Sequence, residues 1–249
     1  AKNDSAIFYT VYAYSKDISG NCSDIISYSA IIDSKNYYVD SSADKAVSHL
    51  GTKFDPFPTI EEAVKNTKGN NISFYLKGNF TISKPISIFA DCKIIGEGDA
   101  RLNFTSNAQL TIENANVSVN NCIFVKQVPQ NGDVIQKNLL RVYDSVLSTQ
   151  NCEFVCYFDY SGNCISAKQS TISFENSGLS IYASAYASAI NAEDSLVKLQ
   201  GLRINSSAKT AVGISAANNS CVIDNSEINV IGSYTRACEF LSVVWDIQN

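Results

Sequence analysis

The sequence predicts an all-β chain wound as a parallel solenoid, on three observations. A strand pattern recurs every 24 to 30 residues, a small corner residue recurs with it, and the composition is poor in charge. Charged residues are 17% of the 249, against about 25% in an average globular domain, while apolar residues stand at an ordinary 45%. Ser, Thr and Asn fill the difference, and they suit sheet and turns better than amphipathic helices.

The repeat is read by alignment. Leu110 to Ile112, Leu140 to Val142, Ile165 to Ala167, Ile190 to Ala192 and Ile214 to Ala216 line up at offsets of 30, 25, 25 and 24. Each alternates in, out, in. The same offsets carry Val117 and Val119 onto Leu147 and Thr149, Ile172 and Phe174, Val197 and Leu199, and Cys221 and Ile223. They also carry Phe124 onto Phe154, Leu179, Ile204 and Ile228, so each repeat holds three short strands. Between the second and third lies Asn121, Asn151, Asn176, Gly201 or Asn225. Asn and Gly tolerate a left-handed backbone at least cost, which accounts for a tight corner there. Strands this short cannot bury their apolar face singly, but they can by coiling.

Residues 1–36 fall outside the repeat, with Ile7, Tyr9, Val11 and Ala13 alternating as in a strand. They read as the end of a preceding domain, a strand against the solenoid, or a donated arm. The solenoid spans 37–249. Ile60, Ala63 and Val64 have helical spacing after a Thr59 cap with Glu62 three residues on. Ile72, Phe74 and Leu76, then Ile86 and Ile88, continue as early strands, with Gly96, Glu97 and Gly98 as a turn. The first repeat is longer than the others, and the excess from Lys126 to Lys137 reads as a surface loop. Adding 24 to the last full repeat reaches Cys238, Phe240, Trp245 and Ile247, so the pattern still runs at Asn249. The chain has no methionine, and with the incomplete last coil this is read as a fragment or a processed subunit. Phe240, Trp245 and Ile247 are then candidates for an end-to-end contact.

Tyr37 to Asp40, followed by the run Gly51 to Val64 with Pro56, Phe57, Pro58 and Thr59, resembles the opening of extracellular bacterial and archaeal members of the pectin lyase-like superfamily. The repeat with its asparagine corner resembles the same family. The resemblance implies a right-handed, three-sheet parallel β-helix with a short N-terminal capping helix. It also implies that an enzyme of this kind would hold substrate along the outer face of the first sheet. On that face Arg141 and Lys168, with Glu113, Asp144, Glu193 and Asp194 nearby, are the catalytic candidates, because a polyuronate lyase needs a cationic base and a cation against the sugar carboxylate. A solvated face of alternating charge is the plainer reading. The clustered aspartates with Gly-His-Gly and Arg-Ile-Lys of polygalacturonases, and the Trp-Ile-Asp-His and Arg-x-Pro-x-x-Arg signatures of pectate lyases, are absent from the sequence.

The expected function is therefore a non-catalytic extracellular or cell-surface β-helix for adhesion, glycan contact or assembly. The alternatives are a polysaccharide lyase-like enzyme and a subunit that polymerises end to end. Tyr157 and Tyr182, one repeat apart and pointing outward, are candidates for stacking on sugar rings. Expected partners are a polysaccharide or cell-surface glycan and another copy of the chain. The net charge of −5 gives no cationic footprint for nucleic acid, and no apolar run is long enough to span a membrane. No cofactor is expected. The single His49 excludes a multi-histidine metal site, and the eight cysteines follow no zinc spacing. Cys122 and Cys152 read as small corner residues in the core, with a vertical disulfide between them conceivable.

Overall fold

In a computed structural model the chain is a parallel β-helix, described over residues 7–32, 35–67, 69–128, 137–241 and 244–248. β1 (Ile7–Ala13) and β2 (Ile26–Ile32) form an antiparallel sheet of two strands, joined through the Lys16–Cys22 bridge. β3 (Asn36–Asp40) opens the coil and α1 (Ile60–Asn66) follows. Thr59 Oγ1 accepts the Glu62 N–H at 3.1 Å, as the capping pattern predicts, and Ile60 and Ala63 are buried. The single histidine braces the loop before this helix: His49 Nδ1 lies 2.6 Å from Asp55 Oδ1 and Nε2 lies 2.5 Å from the Asp44 carbonyl.

β4 (Ile72–Ile82), β5 (Ile86–Ile88) and β6 (Cys92–Phe104) make the early coils. Regular coils follow: β7 (Leu110–Glu113), β8 (Asn116–Asn120) and β9 (Ile123–Gln127), then β10 (Asn138–Tyr143), β11 (Val146–Gln150) and β12 (Glu153–Tyr157). The next are β13 (Ser161–Lys168), β14 (Thr171–Glu175) and β15 (Gly178–Tyr182), then β16 (Tyr186–Glu193), β17 (Leu196–Gln200) and β18 (Arg203–Ser207). β19 (Thr210–Ala217), β20 (Ser220–Asp224), β21 (Glu227–Ile231), β22 (Tyr234–Leu241) and β23 (Val244–Gln248) complete the order.

The ladder registers equal the sequence offsets. Leu140 pairs Leu110 and Ile165, Leu147 pairs Val117 and Ile172, and Phe154 pairs Phe124 and Leu179. The offset of 24 persists into the last strands, where Cys238 pairs Ile214 and Trp245 pairs Cys221. The helix has three faces but two hydrogen-bonded sheets. β5, β7, β10, β13, β16, β19 and β22 form the first face, and the second and third faces are one 14-stranded sheet joined through β6. The expected turn at Gly96 to Gly98 is a corner inside this long strand, with Gly98 at φ +67°. Gly78 makes the matching corner of β4 at φ +95°, where the register shifts between Lys77 and Asn79. A glycine bends a paired strand without ending it, which is why the first coils show no asparagine turn.

In the later coils the corner residues take the backbone that their identity foretold: Asn121, Asn151, Asn176 and Asn225 have φ between 44° and 55°, and Gly201 has 60°. A Cβ on Gly201 would stand 2.7 Å from Asn176 Oδ1, so glycine here serves both the φ and the close approach. Asn151 Nδ2 donates to Asn121 Oδ1 at 3.3 Å, a rung of an amide ladder. A second left-handed row, not foreseen, lies between the first and second strands at Asn114, Asp144, Gln169, Asp194 and Asn218, with φ of 46° to 56°. Behind it runs a buried hydroxyl ladder. The Ala115 N–H donates to Ser145 Oγ, Ser145 to Ser170 and Ser170 to Ser195, each at 3.1 or 3.2 Å, and Ser195 donates to Asn219 Oδ1 at 2.7 Å. Each coil thereby satisfies an amide that the corner removes from the strand ladder.

Candidate functional site

The axial core is stacked side chains. Phe104, Phe124 and Phe154 stack face to face, with centroids 6.3 and 4.9 Å apart, and Phe174 meets Phe154 edge-on at 5.9 Å. One inward position carries a charge. Lys126, expected at the start of a surface loop, is fully buried, in register between Phe104 and Cys156. Its Nζ donates to the carbonyls of Ala108 at 2.6 Å and Asn138 at 3.2 Å, tying two successive coils together. Burial drives its pKa down to about 8. The loop that follows, at 129–136, lies outside the described residues.

All eight cysteines are thiols, Cys122 and Cys152 included. Cys122 Sγ donates to the Asn120 carbonyl at 3.3 Å, and Cys152 Sγ to those of Val119 and Gln150 at 3.4 and 3.3 Å. Burial pushes the pKa of Cys152 up to about 11 and those of Cys92 and Cys221 to about 12, which keeps them protonated and poorly nucleophilic at neutral pH. Among the described residues no cluster of His, Cys, Asp and Glu has the arrangement of a metal site.

On the first face, register places Arg141 between Thr111 and Ser166, and Lys168 one row on, between Tyr143 and Glu193. Arg141 is occupied by its own strand: its guanidinium lies 4.7 Å from the Tyr143 ring centroid and donates to the Tyr143 hydroxyl. Lys168 Nζ lies 3.1 Å from Glu193 Oε1, and that hydrogen bond, then the Glu193 charge, raises the ammonium above its usual range. Glu113 sits beside Tyr143, one coil further from Lys168. Asp144 and Asp194 occupy the second left-handed row, at φ 46° and 50°, and line a hollow beside the second face.

On the third face the structure brings Tyr157 and Tyr182 together. Their rings stack 5.1 Å apart at 12°, 45% and 40% exposed, as the last residues of β12 and β15. At the other end of these strands Gly178 leaves space over which the Glu153 carboxylate reaches across a whole coil to Arg203, 3.7 Å away. Phe240 is half-buried and packs against the core. For Trp245 and Ile247 the strand and register are described, while the contacts expected of their side chains fall outside the described part.

No family model matches the sequence, and no curated protein matches it. Solved structures are similar to the chain over part of their length. A rhamnogalacturonan lyase is 12% identical with a TM-score of 0.48 over 85% of this chain and 62% of its own. The catalytic domain of a GH87 alpha-1,3-glucanase in complex with nigerose is 15% identical with a TM-score of 0.43, over 78% of this chain and 38% of its own. A pectin methylesterase in complex with a hexasaccharide is 12% identical with a TM-score of 0.41, over 77% and 80%. The chain thus spans less than two thirds of the length of the first two. The activities named are those proteins' own.

Proposed function

We propose that this chain is a non-catalytic β-helix of the cell surface or extracellular space that contacts glycans. The observation that carries the reading is the Tyr157 and Tyr182 pair, an aromatic platform of two rings stacked on one another and left 45% and 40% exposed on a stiff ladder. Sugar rings present apolar C–H faces, and an exposed, pre-stacked aromatic pair meets them with little ordering cost. The first-face charges support the same reading from the other side. A general base works best with a pKa near the operating pH, whereas Lys168 is held protonated by Glu193 and Arg141 lies against Tyr143.

The test is calorimetric titration with short oligosaccharides. Tyr157→Ala combined with Tyr182→Ala is expected to weaken binding by about tenfold, roughly 1.4 kcal/mol, with the β-helix still folded at the temperature of the titration. Equal affinity in the variant and the parent would refute the platform.

A further inference from the structure

The axial core holds a cluster that neither the tyrosine platform nor the first-face charges use. Lys126, Cys156 and Cys164 are all fully buried. Register sets Cys156 on Lys126 in the coil before and on Ile181 in the coil after. Cys164 stands level with Leu139 and Ala189, because Asn163 pairs Asn138 and Ser188 while Ile165 pairs Leu140 and Ile190. Both inward rows thus change residue from coil to coil, and cysteine falls in both of them in a single coil. There the two side chains meet, and the Cys164 thiol hydrogen-bonds with that of Cys156. Cys122 and Cys152 differ: they share one row, but their thiols donate to the Asn120, Val119 and Gln150 carbonyls. The chain between Cys156 and Cys164 is a closed corner. Cys156 is the penultimate residue of β12 and Cys164 the fourth of β13. The Val128 N–H donates to the Tyr157 carbonyl at 2.9 Å and the Phe158 N–H to that of Tyr182 at 2.8 Å, tying the corner to the coil on each side. Within it the buried Phe158 ring lies on Gly162, where a Cβ would stand 2.5 Å from the ring. The backbone already brings the two thiols together, so bonding them requires little further ordering.

We infer that Cys156 and Cys164 are a modification site: they form a disulfide that staples the corner between β12 and β13 when the chain folds in the presence of a small-molecule disulfide such as glutathione disulfide. The chemistry is thiol–disulfide exchange. The thiolate of one cysteine attacks a sulfur of the small disulfide, forming a mixed disulfide and expelling one thiolate. The second protein thiolate attacks the protein sulfur of that intermediate, which closes the bond between Cys156 and Cys164 and expels the other. Two protein thiols are oxidised, one small disulfide is reduced to two thiols, and the two protons pass to them. Timing follows from burial. Burial, then the bond to Cys156, holds the Cys164 thiol well above the usual range, so exchange belongs to the folding chain, before the next coil covers the corner. Once covered, the bond is shielded from reductants by the same packing. Such a staple suits the oxidising surroundings of an extracellular protein, and it does not depend on what the tyrosines bind.

The experiment refolds the full chain from denaturant with mixed reduced and oxidised glutathione, or with reduced glutathione alone. Remaining thiols are blocked with N-ethylmaleimide in denaturant, and the chain is cut with chymotrypsin. Cleavage after Phe154, Tyr157 and Tyr160 places Cys152, Cys156 and Cys164 on three different peptides. After oxidative refolding the peptide with Cys156 and the peptide with Cys164 are expected as one disulfide-linked species in the mass spectrum. After reductive refolding both are expected separate and blocked. Thermal melting gives a second readout: closing so short a ring is expected to raise the melting temperature of the oxidised chain by about 5 °C over the reduced chain. Cys164→Ala is expected to fold, since Ala189 fills the same row one coil on, and to abolish that difference. Cys156 and Cys164 both recovered blocked after oxidative refolding, or either of them linked to another cysteine, would overturn the staple. So would a melting difference that persists undiminished in Cys164→Ala. Should that variant not fold, the peptide map of the parent decides alone.

Discussion

The first and third faces belong to one coil with one strand spacing, yet their outward side chains have opposite fates. On the first face charge meets charge: Lys168 holds Glu193, and Arg141 folds onto Tyr143. On the third face Tyr157 and Tyr182 satisfy each other by stacking and keep their outer surface open. Identical geometry thus leaves one face closed on itself and the other available. What distinguishes them is residue chemistry in adjacent rungs, since every outward group has a neighbour about 4.8 Å above and below.

The largest expected effect lies beneath the platform. Phe154 is fully buried in the same strand as Tyr157 and stacks between Phe124 and Phe174. Phe154→Ala is expected to cost about 3–5 kcal/mol in denaturant unfolding and to weaken oligosaccharide binding with it. A small loss of stability would break the link between the inner stack and the outer pair.

A smaller effect separates the two faces by pH. Burial lowers the Lys126 pKa to about 8 from an ordinary value of 10.5. The unfolded chain therefore binds more protons in that window, and stability is expected to rise from pH 8 to 10.5. Lys168 has the opposite sign. Its raised pKa gives a contribution that is present below 10.5 and is lost as the pH climbs through the folded value. Being exposed, it is also weakened by salt. Stability measured against pH at high salt should keep the Lys126 rise, and Lys126→Met should remove it.

The strand registers were legible in the sequence because inward positions repeat with little variation, as in Phe124, Phe154, Leu179, Ile204 and Ile228. The asparagine corner was legible because few residues other than Asn and Gly take that backbone cheaply. The second left-handed row was not, since Asn114, Asp144, Gln169 and Asp194 differ in charge and size and share only a φ. Asp144 and Asp194 therefore read as carboxylates flanking a site when they are also corner residues. Lys126 is hidden by the loop residues that follow it, although the offset of 30 sets it on buried Cys156 and marks it as inward. The early coils hid because β4 and β6 turn their corners on glycine within an unbroken strand.

The claim that this β-helix holds glycans without cutting them is tested most directly by following polymer chain length. The parent chain and an Arg141→Ala, Lys168→Ala variant are incubated with polygalacturonate and with neutral polysaccharides, with and without calcium, and new chain ends are counted. The expected result is unchanged chain length for both proteins under every condition. New ends that appear with the parent and vanish with the variant would make the first face catalytic and contradict the account.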